Sequence, residues 1–178
     1  MIILNSHNEQ INKLYFDDET GFCPEKSHPN FINHFVDDFY YNNEDEESPF
    51  GSDTAFDAFS ILVERIKEEE SFDFSDFPRR LIENIWHMKY ILINSLHEKD
   101  VKILLELDGT NVIQSDIVTC AVAFGQIKIT GKLDKKLKEN ALSSLKRRNL
   151  TAKILDWGSE SEILAKMIAD ISSFNEVI

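Results

Sequence analysis

Three clusters of carboxylates, Asp17-Asp18-Glu19, Asp37-Asp38 and Glu44-Asp45-Glu46-Glu47, are the groups in this chain with the chemistry to act on something else. Carboxylates that converge at a set separation can hold Mg²⁺ or serve as an acid–base pair. Carboxylates that do not converge still project a field toward basic partners. Neighbours along a helix point in different directions, so none of the three clusters converges unaided. The 44–47 run also lacks the alternate spacing of a calcium loop. His7, His28, His34, His87 and His97 fall in no H-E-x-x-H pattern, and Cys23 and Cys120 in no C-x-x-C. The six glycines make no G-x-G-x-x-G, P-loop or G-x-S-x-G. The sequence therefore predicts no catalytic residue, no metal ligand and no cofactor. A metal-dependent hydrolase built on the clustered carboxylates is the enzyme alternative.

The distribution of charge says more than any motif. Residues 1–76 carry 19 Asp and Glu against four Lys and Arg, whereas residues 77–178 carry 13 against 15. Such a field draws in basic macromolecules and repels phosphate. The one basic region, Lys135-Lys136 with Lys138 and then Lys146-Arg147-Arg148, faces a net charge of −13, which argues against nucleic acid as the partner. These cations are expected to solvate a helix and pair with the acidic half. Tyr40-Tyr41 stand beside the acidic run, and aromatics beside charge anchor interfaces. The predicted contact residues are Asp37, Asp38, Tyr40, Tyr41, Glu44, Asp45, Glu46 and Glu47. His34, His87, Trp86 and Trp157 are expected at helix surfaces or the core edge.

These residues need elements to hold them. Residues 2–4 could open a strand. Pro29 suits the first turn of a helix, and Phe31, Ile32, Phe35, Val36, Phe39 and Tyr40 continue one apolar face. An acidic loop follows to Gly51. Ser52 or Asp53 then caps a second helix with Ala55, Phe56, Phe59, Leu62, Val63 and Ile66 inward. A third, long helix is expected from Pro78 to about His97. Val101 to Leu107 reads as a strand ended by Asp108-Gly109. Ile117 to Phe124 is apolar on every side and reads as a buried helix stopped by Gly125, with a short strand over 127–130. Helices are then expected from Asp134 to Arg148 and from Ser159 or Ser161 onward. The 152–157 stretch is either a strand or an extension of the preceding helix.

The predicted fold class is thus α+β, helix-dominant, with a small β-sheet. Residues 1–178 are taken as a single domain whose acidic half is 1–76 and near-neutral half 77–178. Thirteen Phe, most of them before residue 78, argue that the acidic half packs instead of staying disordered. Two unpaired cysteines, the lack of a basic leader and the lack of an 18-residue apolar run point to a cytoplasmic protein off the membrane.

The stretch Ser48-Pro49-Phe50-Gly51-Ser52-Asp53-Thr54-Ala55-Phe56-Asp57-Ala58-Phe59 resembles the opening of a widespread bacterial domain of unknown function, which begins with a W-G-x-G-x-F-x-x-D-x-A-x-D-F-like motif. The Trp-Gly start is absent here. The helices expected over 117–125 and 133–145 look similar to later parts of that domain. The resemblance, together with the size and acidity of the chain, implies an immunity protein of the contact-dependent growth inhibition type. Such a protein binds and blocks a basic toxin domain, often a nuclease. Complementary fields would speed the encounter, and fixed aromatic and charged contacts would set selectivity. An exposed sheet edge at 101–107 or 127–130 could also accept a toxin strand. A DNA-mimicking anti-defence protein is the alternative within the binding class, although the near-neutral second half does not suit it.

Overall fold

The computed structural model describes residues 13–17, 22–69, 71–158 and 161–178. It is built around one long helix whose C-terminal turns are buried on all sides. The helices are α1 (Pro29–His34), α2 (Asp53–Glu68), α3 (Phe77–Arg80), α4 (Glu98–Thr130), α5 (Lys135–Ile154) and α6 (Glu162–Ser173). Single 3₁₀ turns lie at Pro24–Lys26 and Asp38–Tyr41, and α3 runs on into a π turn at Leu81–Ile85. α4 packs against α1, α2, α3 and α5, and α6 packs on the outside of α5.

Local chemistry explains the helix starts. The Ser52 hydroxyl accepts from the Ala55 N–H at 3.1 Å, the Asp134 carboxylate from Leu137 at 2.9 Å, and the Ser161 hydroxyl from Leu164 at 3.1 Å. Each satisfies a donor that the first helical turn leaves free. Beyond each cap an apolar stripe turns inward: Ala55, Ala58, Phe59 and Leu62 on α2, Leu137, Ala141 and Leu145 on α5, Leu164, Met167 and Ile171 on α6. Between Val118 and Ile129 every α4 side chain is buried, as befits a helix surrounded by others. Gly125 lets α2 come close. A Cβ there would lie 2.8 Å from Leu62 Cδ2 and 2.9 Å from Phe59 Cδ2. Gly131, left-handed at φ 69°, ends α4. The exposed carbonyls at that end are taken up by the N-terminal segment, through Tyr15 N–H to Ile129 and His28 N–H to Lys128.

The expected sheet is not there. Among the described residues no strand forms, and the one β-like pairing is an isolated parallel bridge between Leu133 and Val177. The fold is all-helical, not α+β. Both segments read as strands, 101–107 and 127–130, are turns of α4, so neither offers a sheet edge to a partner. The 127–130 run does not separate a buried helix from a buried strand, because its turns show no polar face, whereas 101–107 is mostly exposed and reads like a strand through its Val, Ile and Leu content and the Asp-Gly pair that follows. The Asp108-Gly109 break is real but local. Asp108 leaves helical geometry (φ −153°, ψ 40°) while its carboxylate accepts from Asn111 at 2.7 Å and from Lys89 at 3.2 Å, and the helix resumes. Gly125 does not stop the buried helix. The apolar stripe from Phe31 to Tyr40 is split, since α1 ends at His34 and the 3₁₀ turn carries Tyr40 inward.

The long third helix is also overturned. After the π turn His87 takes a positive φ of 54°, and residues 87–97 run without regular secondary structure, bonded to α4 and α5. This strap is held by side chains instead of a ladder. Ile91 N–H donates to Ser115 Oγ at 2.9 Å, and the Tyr90 hydroxyl lies 3.2 Å from Thr119 Oγ1. The strand suggested at 2–4, the candidates His7, Asp18 and Glu19, and the possible cap Ser159 lie outside the described residues. α4 is long and apolar enough to span a bilayer, which the sequence reading did not anticipate. However, 83% of its apolar window is buried inside the protein, as in a core helix.

Candidate functional site

The acidic loop folds back on itself through its own side chains. Asn42 Oδ1 accepts from the N–H groups of Glu44 (2.7 Å) and Asp45 (3.2 Å), and Asp45 Oδ1 accepts from Glu47 N–H at 3.0 Å. The Ser48 hydroxyl donates to the Asn42 carbonyl at 2.7 Å. These Asx-type turns consume the backbone donors and leave the carboxylates of Glu44, Glu46 and Glu47 in solvent. Glu47 reaches the Ser161 hydroxyl at 2.5 Å, which ties the loop to the start of α6.

The second cluster borders the same helix. Asp37 pairs with Lys166 at 3.0 Å, and Lys166 also binds Asp170 at 2.6 Å. Asp38 is exposed. Five residues separate Ser161 from Lys166, about 7.5 Å along a helix. The two clusters, 37–38 and 44–47, therefore both hold to α6, one in its middle and one at its start. Tyr40 has 0% exposure, and its hydroxyl donates to Asp170 Oδ2 at 2.8 Å. Burial pushes its phenol well above the usual range, helped by that carboxylate. Tyr41 is half-buried and is pushed up to about 12 by burial, then by Asp17. Tyr40 is thus a core residue and no surface contact.

The aromatic side chain that does reach the surface here is Trp157, 62% exposed. α5 ends at Ile154, Asp156 turns left-handed (φ 55°), and Gly158 follows at φ 121°. That turn swings the indole outward. Trp157, Glu46 and Glu47 line a cavity of about 400 Å³ whose deeper walls come from α4 and α5, including Asp116, Arg148 and Thr151. Among the described residues no three His, Cys, Asp or Glu side chains group as ligands of one metal ion.

No family model matches the chain, and no solved structure matches it. Over 167 residues, 92% of its length, it is 48% identical to the uncharacterised protein YfeS of Escherichia coli strain K12, and the match spans 68% of that protein. The chain belongs to the YfeS family.

Two buried ionic centres of this YfeS-family chain escape a reading of its sequence. The first is Asp116–Arg147, at 1% side-chain exposure each, with Nε 2.8 Å from Oδ2. The other guanidinium nitrogens donate to the strap carbonyls of Ile91 (3.0 Å) and Leu92 (3.4 Å). Burial pushes Asp116 up to about 6, against the downward pull of Arg147. Arg147 therefore does not solvate α5 as its basic neighbours suggested. The second is Lys128, wholly buried, which bonds Asp17 at 3.0 Å and the Ser27 hydroxyl. The rings of Phe22, Phe31 and Tyr41 lie 5.7–5.8 Å from its ammonium. Burial lowers its pKa and raises that of Asp17, with their mutual attraction opposing both shifts. One signal was present in the sequence. A lysine inside an otherwise apolar run, as in Gly125-Gln126-Ile127-Lys128-Ile129, needs a buried anion. Arg147 gave no such sign, because it stands among other cations.

Proposed function

We propose that this chain is a binding protein of the immunity type, which acts in the cytoplasm by docking a basic toxin domain, such as a nuclease, and covering its working surface. The observation that carries the reading is the attachment of both Asp37-Asp38 and the 44–47 loop to α6, with Trp157 exposed on the cavity that Glu46 and Glu47 line. An exposed indole beside the carboxylates of Glu46 and Glu47 suits an interface with a basic partner, since the aromatic supplies affinity and the charges supply encounter rate and selectivity. The contact set is accordingly Asp37, Asp38, Glu44, Asp45, Glu46, Glu47 and Trp157, with the buried Tyr40 and the half-buried Tyr41, whose hydroxyl is buried, both removed.

The test is to express the chain with the product of the adjoining open reading frame and measure their association by surface plasmon resonance at rising salt. The on-rate should fall on the order of tenfold from low to physiological salt, as steering by exposed charge does. Reversing residues 44–47 to Lys should weaken binding at least tenfold. Equal affinity for the reversed and native loops would show that this edge is not the docking face.

A further inference from the structure

We infer that the cavity between the acidic loop and Trp157 receives one arginine side chain of the basic partner. This rests on the proposed docking face and names the chemistry of its central contact. The cavity, about 400 Å³, falls within the range of pockets that hold small groups, about 300–1,000 Å³. Two side chains that line it carry buried polar atoms with no hydrogen-bond partner, Asp116 Oδ1 and Thr151 Oγ1, and each residue is more than nine-tenths buried. A helical threonine commonly returns its hydroxyl to the carbonyl one turn back, and Thr151 does not. Atoms left so are costly unless something donates to them or accepts from them.

A group that brings donors can serve both, since a hydroxyl and a carboxylate each accept. The remaining walls say which kind. Glu46 and Glu47 supply carboxylates at the mouth, and Trp157 supplies an exposed indole face. Arg148 also lines the cavity, where its charge acts on Asp116. With Arg147 bound to Asp116, three carboxylates face two guanidinium groups, which leaves negative charge unmatched. Arginine fits this set. It offers five donors in a planar fork, has no acceptor, and stacks on indole, whereas lysine offers a compact point charge.

The experiment titrates the full-length chain with N-acetyl-L-arginine methylamide and follows tryptophan fluorescence, subtracting the response of W157F. The neutral citrulline analogue and the lysine analogue are run in parallel. The expected result is a saturable change with roughly millimolar affinity for the arginine compound, none for citrulline, and weaker binding for lysine. E46Q/E47Q, which preserves side-chain size on an exposed loop, should weaken binding at least fivefold, and T151V at least threefold. A response that does not saturate, an equal response to citrulline, or unchanged affinity in E46Q/E47Q overturns the assignment. Loss of partner binding on charge reversal at 44–47, together with a failed arginine titration, would keep the docking face and remove only the pocket. If charge reversal also left partner binding intact, both readings would fall.

Discussion

Replacing Arg147 with Met leaves the Asp116 carboxylate buried without its cation. The methionine keeps most of the apolar stem but removes the 2.8 Å bond to Asp116 and the donors to the Ile91 and Leu92 carbonyls. Removing one member of a buried ion pair costs about 3–5 kcal/mol, because the remaining charge stays desolvated. We expect a loss of about 4 kcal/mol at pH 8, or about 8–16 °C in Tm for a chain of this length. The pH dependence is diagnostic. Folding raises the pKa of Asp116 from 3.8 to about 6, so the folded state holds that proton more tightly than the unfolded chain. The group's contribution to stability is fullest below 3.8 and falls as pH rises through about 6. In the native protein this term gains about 1.4 kcal/mol between pH 8 and pH 5. In R147M the pKa rises further and the gain is larger, so the variant's deficit shrinks on acidification. Urea unfolding followed by circular dichroism at both pH values measures each term. The double variant D116L/R147M removes both charges and should recover most of the lost stability. A loss under about 1 kcal/mol in R147M at pH 8, or a double variant no better than the single, would refute this account of how the strap is held.

Two further substitutions probe the packing beneath the docking face. G125A places a methyl group 2.8–2.9 Å from Leu62 and Phe59. Overpacking costs about 1–3 kcal/mol and better helix propensity returns about 1, so thermal melting should show a net loss of about 1 kcal/mol, with G125V worse. Y40F deletes the phenol's bond to Asp170 while Lys166 still satisfies that carboxylate. It should cost about 1–2 kcal/mol in urea unfolding and leave partner affinity unchanged, whereas a true contact residue would lose affinity.

Several features were legible because they are local. Ser52 and Ser161 mark helix starts through a hydroxyl three residues from the amide they satisfy. Asp134 does the same for the fifth helix, and the stripes of α2, α5 and α6 keep a polar face that reveals the helical period. The acidic bias of residues 1–76 needs no structure at all. The misread strands lay in α4, because its inner turns are buried on every side and show no period, and the Asp-Gly pair near its start looks like a turn. The expected third helix failed separately, at the π turn and the left-handed His87.

By itself, the amino-acid order determined where most helices begin, which faces of them are apolar, and that one half of the chain is strongly acidic. Tertiary structure alone decided that Val101–Leu107 and 127–130 join one helix, that Arg147 and Lys128 go inside, and that Trp157 goes outside. The reason is physical. Caps and amphipathic stripes are set by neighbours a few residues away. Whether a cation is buried depends on an anion brought to it from far along the chain, as Asp17 is to Lys128 and Asp116 to Arg147.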